Sequence, residues 1–523
     1  MSEKDRIRLS SQYWQRLAEE CEKEKESLES RCSELETENQ RLKSYTLKQL
    51  ISSYHNFWLQ RLEPYPSTLQ FIDPIYEHLE LDEALSKLFL TPFIQRLSRV
   101  RQLSFSYINH PLAQHSRLAH SLGVYKNMEL VLTRMIQQNK LYTSRGIEDF
   151  SQALSTAGIN NEKLVKTGKA LALLHDIGHG PFGHALDRYV AYRLRKDMKG
   201  VDKEFSVNYI KTHLTSIINE IGLDPEYIAK ILSPNKEKLT SFDCLLADLI
   251  DSPIDLDRLD FLVRDAHTTG LQIGFINPKL IMDCMVPYKD SFGNINLAFK
   301  EQALPFVEHF LYARSIMYAR CYEEDTKAAA EGMLVLAIMN FLQEMSELDL
   351  SGLMLLDDET LLNLLLTSGI KKVENMAKLL KLGVVYVKVF QVHKKQSQKL
   401  IDYIMKDVTR RPSTALFELP FSTWPKAIAE GAKINYDEEG WKILVIPPSP
   451  NVYREVEVDI NILYQRGNGF DIKRASEVSP LLEDTQRIIQ QSQQIVRVFV
   501  HPSFNSEKRN AIVESAKSFF EEK

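Results

Sequence analysis

The stretch LALLHDIGHGPFGHALD, residues 171–187, decides how the chain reads. Four apolar residues at 171–174 predict the end of a buried helix. His175 and Asp176 follow directly and put an imidazole beside a carboxylate. Helical neighbours diverge by about 100°, so both side chains reach one ion only if it sits between their directions. An unpaired buried charge is costly, and a divalent cation satisfies both groups at once. A lone histidine on an apolar helix is more often a satisfied core residue, and an HD dipeptide is common by chance. Here the doublet runs on into GHGPFGH. Gly178, Gly180, Pro181 and Gly183 break the helix and present His179 and His184. Packing alone does not explain that density.

Working outward, six of the 13 histidines fall between 110 and 184. HSRLAHSLGV at 115–124 carries His115 and His120, and IDLDRLDFLVRD at 254–265 is rich in carboxylates with a helical period. His120 and Asp257 complete a set of two imidazoles and two carboxylates from other helices. Such a set suits iron, manganese, nickel or zinc rather than calcium. Asp251, Asp255 and Asp260 are expected to face solvent or cap helices. His110, His115 and His267 are expected to line the cleft, or to sit in solvent or core. Glu323, Glu324 and Asp325 are expected on a solvated face.

The whole chain has 523 residues, 44% hydrophobic and 26% charged, with 65 Lys and Arg against 70 Asp and Glu, a net charge of −5. These are globular values, and the length admits about three domains. No global basic surplus supports duplex DNA binding, and no aromatic strand suited to single-strand stacking is present. Five scattered cysteines without a CxxC fit a reducing, cytoplasmic setting. The charged start MSEKDRIRLSSQ lacks a signal-peptide core, and no apolar run approaches membrane length.

The expected fold is mainly α, in three regions: a long charged helix over 1–62, a helical body over 63–382, and a small α+β lobe over 383–523. In the first, Trp14, Cys21, Leu28, Leu35 and Leu42 recur every seven residues, with Ala18, Lys25, Cys32 and Asn39 four later. This reads as a coiled coil pairing chains or as a long solvated helix, and the polar Asn39 at a seam position weighs toward pairing. Within the body, VPYKDSFGNINLAF at 286–299 alternates around a turn and predicts a hairpin, and 346–382 is helical again. In the lobe, VVYVKVFQV (384–392), KILVIP (442–447) and VRVFVHP (496–502) predict strands, and a helix closes the chain at 506–522.

Together these motifs resemble the HD-domain superfamily of metal-dependent phosphohydrolases, and within it the deoxynucleoside triphosphate triphosphohydrolases. The likeness runs over about 70–345 and rests on H…HD…D in order, the extended HDIGHGPFGHALD string, and the opening DPIYEHLEL (73–81) with QRLSRVRQL (95–103). It implies His120, His175, Asp176 and Asp257 as ligands of a divalent transition metal, with Mg²⁺ accompanying the triphosphate. It implies His179, His184 and Asp187 as catalytic, His184 protonating or positioning the leaving oxygen with Asp187 in support. It implies Arg117, Arg258 and Arg314 on the phosphates, Asp265 on the sugar 3′-hydroxyl, Tyr322 beneath the deoxyribose, and Gln102 and Leu103 near sugar and base. The implied reaction releases a deoxynucleoside and intact triphosphate from a dNTP, in a nucleotide-activated homo-oligomer. The three arginines imply a locally positive pocket.

Two positions depart from the family pattern. Phe261 stands where a tyrosine is usual, and Lys203-Glu204 stands where a His-Glu pair is usual. Two other readings remain: an HD-type phosphodiesterase or nucleotidase acting on another nucleotide, and a non-enzymatic assembly protein with a vestigial site.

Overall fold

Helix caps written into the sequence set where the body's helices begin. Ser116 accepts from the Ala119 N–H and starts α1 (Arg117–Gln138), which ends where Asn139 turns left-handed at φ 50°. Asn160 accepts from the Lys163 N–H and starts α2 (Asn161–Leu174). Next come α3 (Val201–Thr212) and α4 (Phe242–Ile250). Asp255 caps α5 (Leu256–Thr269), and the left-handed Gly270 ends it. One wide turn, Tyr318–Tyr322, then links α6 (Leu304–Met317) to α7 (Asp325–Glu344). This computed structural model describes residues 67–187, 200–234, 239–344, 350–393, 396–397, 399–400, 419–447, 460–482 and 495–521, with six separate positions between 22 and 31.

α1 lies along α2, and α5 packs on α1. On α1, His120, Val124, Met128, Val131 and Met135 are buried at spacings of three and four, one stripe of an amphipathic helix. Residues 170–174 at the end of α2 are all buried, so the HD doublet emerges from the interior. α5 approaches α1 closely because Gly123 has no side chain. A Cβ there would stand 1.8 Å from Asp260 Oδ1.

The expected hairpin is present. β5 (Met285–Lys289) and β6 (Ile295–Lys300) pair antiparallel around residues 290–294. It is also the centre of a larger sheet. β3 (Lys140–Thr143), with β4 (Gly146–Asp149), joins β5 in parallel; β9 (Asn461–Arg466), with β10 (Gly469–Arg474), joins β6 in parallel. The order is β10-β9-β6-β5-β3-β4, so residues 461–474 of the expected third region add strands to the helical body. A separate hairpin, β1 (Leu69–Asp73) with β2 (Glu77–Leu81), opens the described body.

Three strands predicted in the lobe form one antiparallel sheet, ordered β7 (Val387–His393), β11 (Ile495–Val500), β8 (Ile443–Ile446). The final helix, α9 (Ser506–Glu521), packs on this sheet with α8 (Trp424–Gly431), and together they bury Phe390, Trp424, Ile428, Val498 and Phe520. The chain is mainly α with small sheets, as expected. Among the described residues, no helix is long and apolar enough to cross a membrane.

Two surface expectations are corrected. Glu323 and Asp325 are not a solvated face: Arg497 of β11, 3% exposed, donates to the Glu323 carbonyl (2.7 Å) and to Asp325 Oδ1 (3.2 Å), and Lys388 of β7 pairs with Asp325. The acidic run holds the lobe's sheet because a buried guanidinium needs anionic partners. Asp260 is not a surface carboxylate either, as its place beside His120 shows below. The heptad seam, apart from the exposed helical Lys25, lies outside the described residues.

Candidate metal centre

Two helices bring three donor side chains, His120, His175 and Asp176, within 4.8 Å of one another, and a third helix sets Asp257 against His120. α1 carries His120 in its first turn, the end of α2 carries His175 and Asp176, and the first turn of α5 carries Asp257. His120 Nε2 lies 3.0 Å from Asp257 Oδ1, 3.3 Å from His175 Nε2 and 3.8 Å from Asp176 Oδ2; His175 Nε2 lies 3.4 Å from Asp176 Oδ1. An ion about 2.1 Å from each donor spaces neighbouring donors roughly 3.0–3.4 Å apart, for octahedral or tetrahedral geometry. Three of the four observed spacings fall in that range, and the fourth, His120 to Asp176 Oδ2 at 3.8 Å, is longer.

Hydrogen bonding sets the tautomers to match. His120 Nδ1 is 2.8 Å from Asp260 Oδ2, and His175 Nδ1 is 2.8 Å from the Ala172 carbonyl. Both partners only accept, so each Nδ1 carries the proton and each Nε2 turns a lone pair toward the other donors. Two lone pairs and two carboxylates facing one another repel unless a positive charge lies among them. Burial pulls the His120 pKa down, but Asp257 and Asp260 outweigh it and lift the group to about 10. Burial likewise opposes charge on Asp176, yet His175 and Arg117 hold its carboxyl well below the usual range. Against burial, His120 and His175 also lower Asp257. A cation at the four donors would meet the demand for positive charge in one step.

A second set of contacts runs behind the donors, and sequence reasoning missed it. Asp260 accepts from Arg264 Nε (2.9 Å) and a terminal nitrogen (3.0 Å) besides His120; Arg264 also donates to Asp73 (2.8 Å). Asp73 belongs to the DPI segment, and its other oxygen accepts from the Ile75 and Tyr76 N–H groups. The carboxylate of the DPI turn thus reaches His120 through Arg264 and Asp260. Arg96, of the QRL segment, is buried and donates to the carbonyls of Ile177 (2.9 Å), His179 (2.7 Å) and Leu356 (3.1 Å), which pins the turn after the doublet. The signal for Asp260 was available: positions 257, 260 and 264 lie at helical spacings on one face.

Beyond the donors, His179 Nδ1 bonds Asp187 Oδ2 (2.5 Å), while its Nε2 lies 3.4 Å from Asp176 and 3.6 Å from Asp202. Burial and Arg117 work against charge on His179; Asp187, Asp176 and Asp202 prevail and lift it to about 10. Asp202 is another residue that sequence reasoning passed over. His184 is the exposed member, 68% accessible, with Nδ1 3.7 Å from Asp187 Oδ2. Arg117 donates to Asp176 Oδ2 (2.8 Å). Gly183 makes room for it: φ is +52°, and a Cβ there would lie 2.4 Å from the guanidinium.

The remaining candidates divide. Asp265 is buried between Tyr322, whose hydroxyl donates at 2.7 Å, and His115 Nε2 at 2.8 Å. Phe261 sets its ring edge-on between His120 (6.4 Å) and Tyr322 (6.2 Å). Arg258 pairs with the fully buried Asp255 and approaches Asp251 at 3.9 Å, while Lys203 pairs with Asp251 at 2.5 Å. Gln102 is bonded through its N–H to the His115 carbonyl, and Leu103 is buried in the main apolar core. Arg314 stacks on Tyr318 at 5.5 Å. His110 Nδ1 is 3.3 Å from the Thr269 carbonyl, and His267 is exposed. The locally positive pocket is corrected. Arg117, Arg258 and Lys203 each face a carboxylate, because unpaired cations in a partly buried site are costly.

No family model matches the chain. Among curated proteins it is similar to the HD domain-containing protein L394 of Acanthamoeba polyphaga mimivirus, 27% identical over 268 residues, 50% of this chain and 55% of that protein. It is also similar to human deoxynucleoside triphosphate triphosphohydrolase SAMHD1, 25% identical over 308 residues, 54% of this chain and 46% of that protein. Other relatives reach 30% identity, and the chain spans a little over half the length of the first of them. The crystal structure of a phosphohydrolase from Bacteroides thetaiotaomicron shares the fold, with a TM-score of 0.58 and 21% identity over 83% of this chain and 99% of that one. The chain is thus similar in sequence to an HD domain-containing protein and to a deoxynucleoside triphosphate triphosphohydrolase, and it shares the fold of a solved phosphohydrolase.

Proposed function

We propose that the protein hydrolyses deoxynucleoside triphosphates to a deoxynucleoside and triphosphate. One observation carries the reading: beside the four donors, buried polar atoms lack partners on residues suited to a nucleotide. These are Arg117 Nε, whose terminal nitrogen holds the donor Asp176, and His115 Nδ1, whose other ring nitrogen holds Asp265; Gln102 Oε1 is a third on the segment joined to theirs through the Arg101–Ser116 bridge. Buried polar atoms are nearly always satisfied, so these orphans leave room for a polar ligand.

A divalent cation held by His120, His175, Asp176 and Asp257 would supply Lewis acidity toward a phosphoryl oxygen and a water made nucleophilic near neutral pH. The side chains divide the remaining work. Arg117 stays oriented by Asp176 and offers its Nε edge to a phosphate oxygen. His179, held by Asp187 at Nδ1, presents a cationic Nε2 to the reacting phosphoryl group. His184 is exposed enough to donate its proton to a departing 5′-oxygen and to regain one from solvent, with Asp187 behind it to favour the protonated ring. Asp265, fixed by Tyr322 and His115, accepts from a sugar hydroxyl, and the Tyr322 ring limits the room beside C2′.

The test is a metal-replete assay with each dNTP and with all four mixed, in which ion exchange separates phosphate, diphosphate and triphosphate. Triphosphate release is expected, and it disappears in His175→Ala/Asp176→Ala along with the bound metal. Turnover undiminished in that double variant refutes the assignment. Release of orthophosphate or diphosphate in place of triphosphate points instead to the nucleotidase reading.

A further inference from the structure

We propose that Asp251 is a built-in stand-in for phosphate: its carboxylate bridges Lys203 and Arg258, and a polyphosphate binds by displacing it. The inference rests on the reading above and concerns how that same site selects its ligand.

Asp251 follows the last turn of α4 and is 31% exposed. On one side it meets Lys203 Nζ at 2.5 Å; on the other it stands 3.9 Å from an Arg258 terminal nitrogen. Lys203 is on α3, next to Asp202, which reaches toward His179; Arg258 is on α5, next to the donor Asp257. One carboxylate therefore spans two walls of the site and lies on cations that follow, on each wall, a residue of the inner cluster.

The two carboxylates on Arg258 differ in kind. Asp255 is fully buried and accepts from the Ser252 and Arg258 N–H groups, so it is fixed in place. Asp251 is bound through its side chain at a partly open position and can turn outward. When it leaves, Asp255 still aims the Arg258 guanidinium, and Lys203 keeps its charge. An incoming anion must repay the lost ion pairs. A single phosphate, whose oxygens are spaced much like a carboxylate's, can replace Asp251 on both cations, whereas a polyphosphate also extends charge toward Arg117 and His179. Exchange of Asp251 thus favours a ligand whose charge runs along a phosphate chain.

The experiment titrates the metal-replete full-length protein with inorganic tripolyphosphate and with orthophosphate by calorimetry. Asp251→Asn is expected to bind tripolyphosphate about two- to fivefold more tightly than wild type, the worth of a partly exposed ion pair, with a smaller gain for orthophosphate. Lys203→Met is expected to remove most of that gain when combined with Asp251→Asn. Asp251→Glu, which keeps the carboxylate, is expected near wild type. For a dNTP that turns over, KM falls in Asp251→Asn without a rise in kcat. Equal or weaker tripolyphosphate binding by a normally melting Asp251→Asn protein overturns the proposal, as does a gain that survives Lys203→Met. If Asp251→Asn melts early, Asp251→Ser makes the same comparison. Wild type that releases no triphosphate from any dNTP sinks the hydrolase reading, and the titration still decides the role of Asp251.

Discussion

Replacing Asp260 with alanine tests whether the contacts behind the donors tune the centre or only support the fold. Asp260 accepts three N–H bonds, from His120 and twice from Arg264, and is 0% exposed. Alanine frees His120 Nδ1, so the proton can move and the ring can rotate away from the common point. Loss of such an outer partner weakens metal affinity about 10- to 100-fold. Alanine also strips Arg264 of one of two carboxylates. Breaking a buried ion pair costs about 3–5 kcal/mol, and the surviving 2.8 Å bond to Asp73 puts the expected loss at the lower end. Asp260→Asn keeps one oxygen. With that oxygen toward His120 and Arg264 Nε, its amide nitrogen must face the other Arg264 donor, so it should retain more metal than alanine while still losing stability. The assay is metal content after dialysis against graded chelator, read beside thermal melts. The order wild type, Asp260→Asn, Asp260→Ala in chelator resistance is expected. A destabilised Asp260→Ala protein that holds metal as firmly as wild type would refute the reasoning.

Gly183→Ala should shift Arg117, since the new Cβ lies 2.4 Å from its guanidinium at a φ of +52°; a rise in KM for the polyphosphate substrate, with a stability loss of about 1–3 kcal/mol, is expected, and unchanged kinetics would count against Arg117 as a ligand contact. His501 offers a pH test. It accepts the Ser503 N–H (3.0 Å) at Nδ1, and burial with nearby Lys442 lowers its pKa. A histidine depressed in the folded state binds its proton more readily when unfolded, so stability falls as pH drops through the unfolded value of about 6.5. His501→Phe should be less stable at pH 7 but change less between pH 7 and 5 in urea melts; an unchanged slope would remove His501 from the acid response.

Residue type made part of the centre legible. Two histidines and two aspartates in three segments, one beside a glycine-rich break, read as a donor set because few packing arrangements need them together. The helical body, the 285–300 hairpin and the lobe's three strands were legible from period and turn residues. Other features lacked a local signature. Asp73 meets Arg264 from 191 positions away, and β6 meets β9 across more than 160 residues, so no window of sequence joins them. Asp260 was misread for a different reason. A carboxylate near a helix start is usually a cap or a surface group, and Asp255 does cap α5; Asp260, one turn on, faces inward only because Gly123 opens the facing helix.

On the proposed reading, the balance of charge explains how an acidic site receives an acidic ligand. Around the donors, Asp176, Asp187, Asp202, Asp251, Asp255, Asp257, Asp260 and Asp265 outnumber Arg117, Lys203, Arg258 and Arg264. Nearly every guanidinium edge aimed inward is already matched by a carboxylate, so the cations alone exert little pull on a polyanion. Beyond the Arg117 Nε edge and His179, attraction comes from two changes: positive charge placed at the donors, and release of the cations that Asp251 occupies. Each alters the site by about one ion pair or one ion, and each is local. Affinity for a polyphosphate is then coupled to occupancy of the centre, because the ion offsets carboxylates that would otherwise repel the ligand, and linkage requires the ligand to strengthen ion binding by the same factor. A site built this way discriminates by charge distribution along the ligand rather than by net charge.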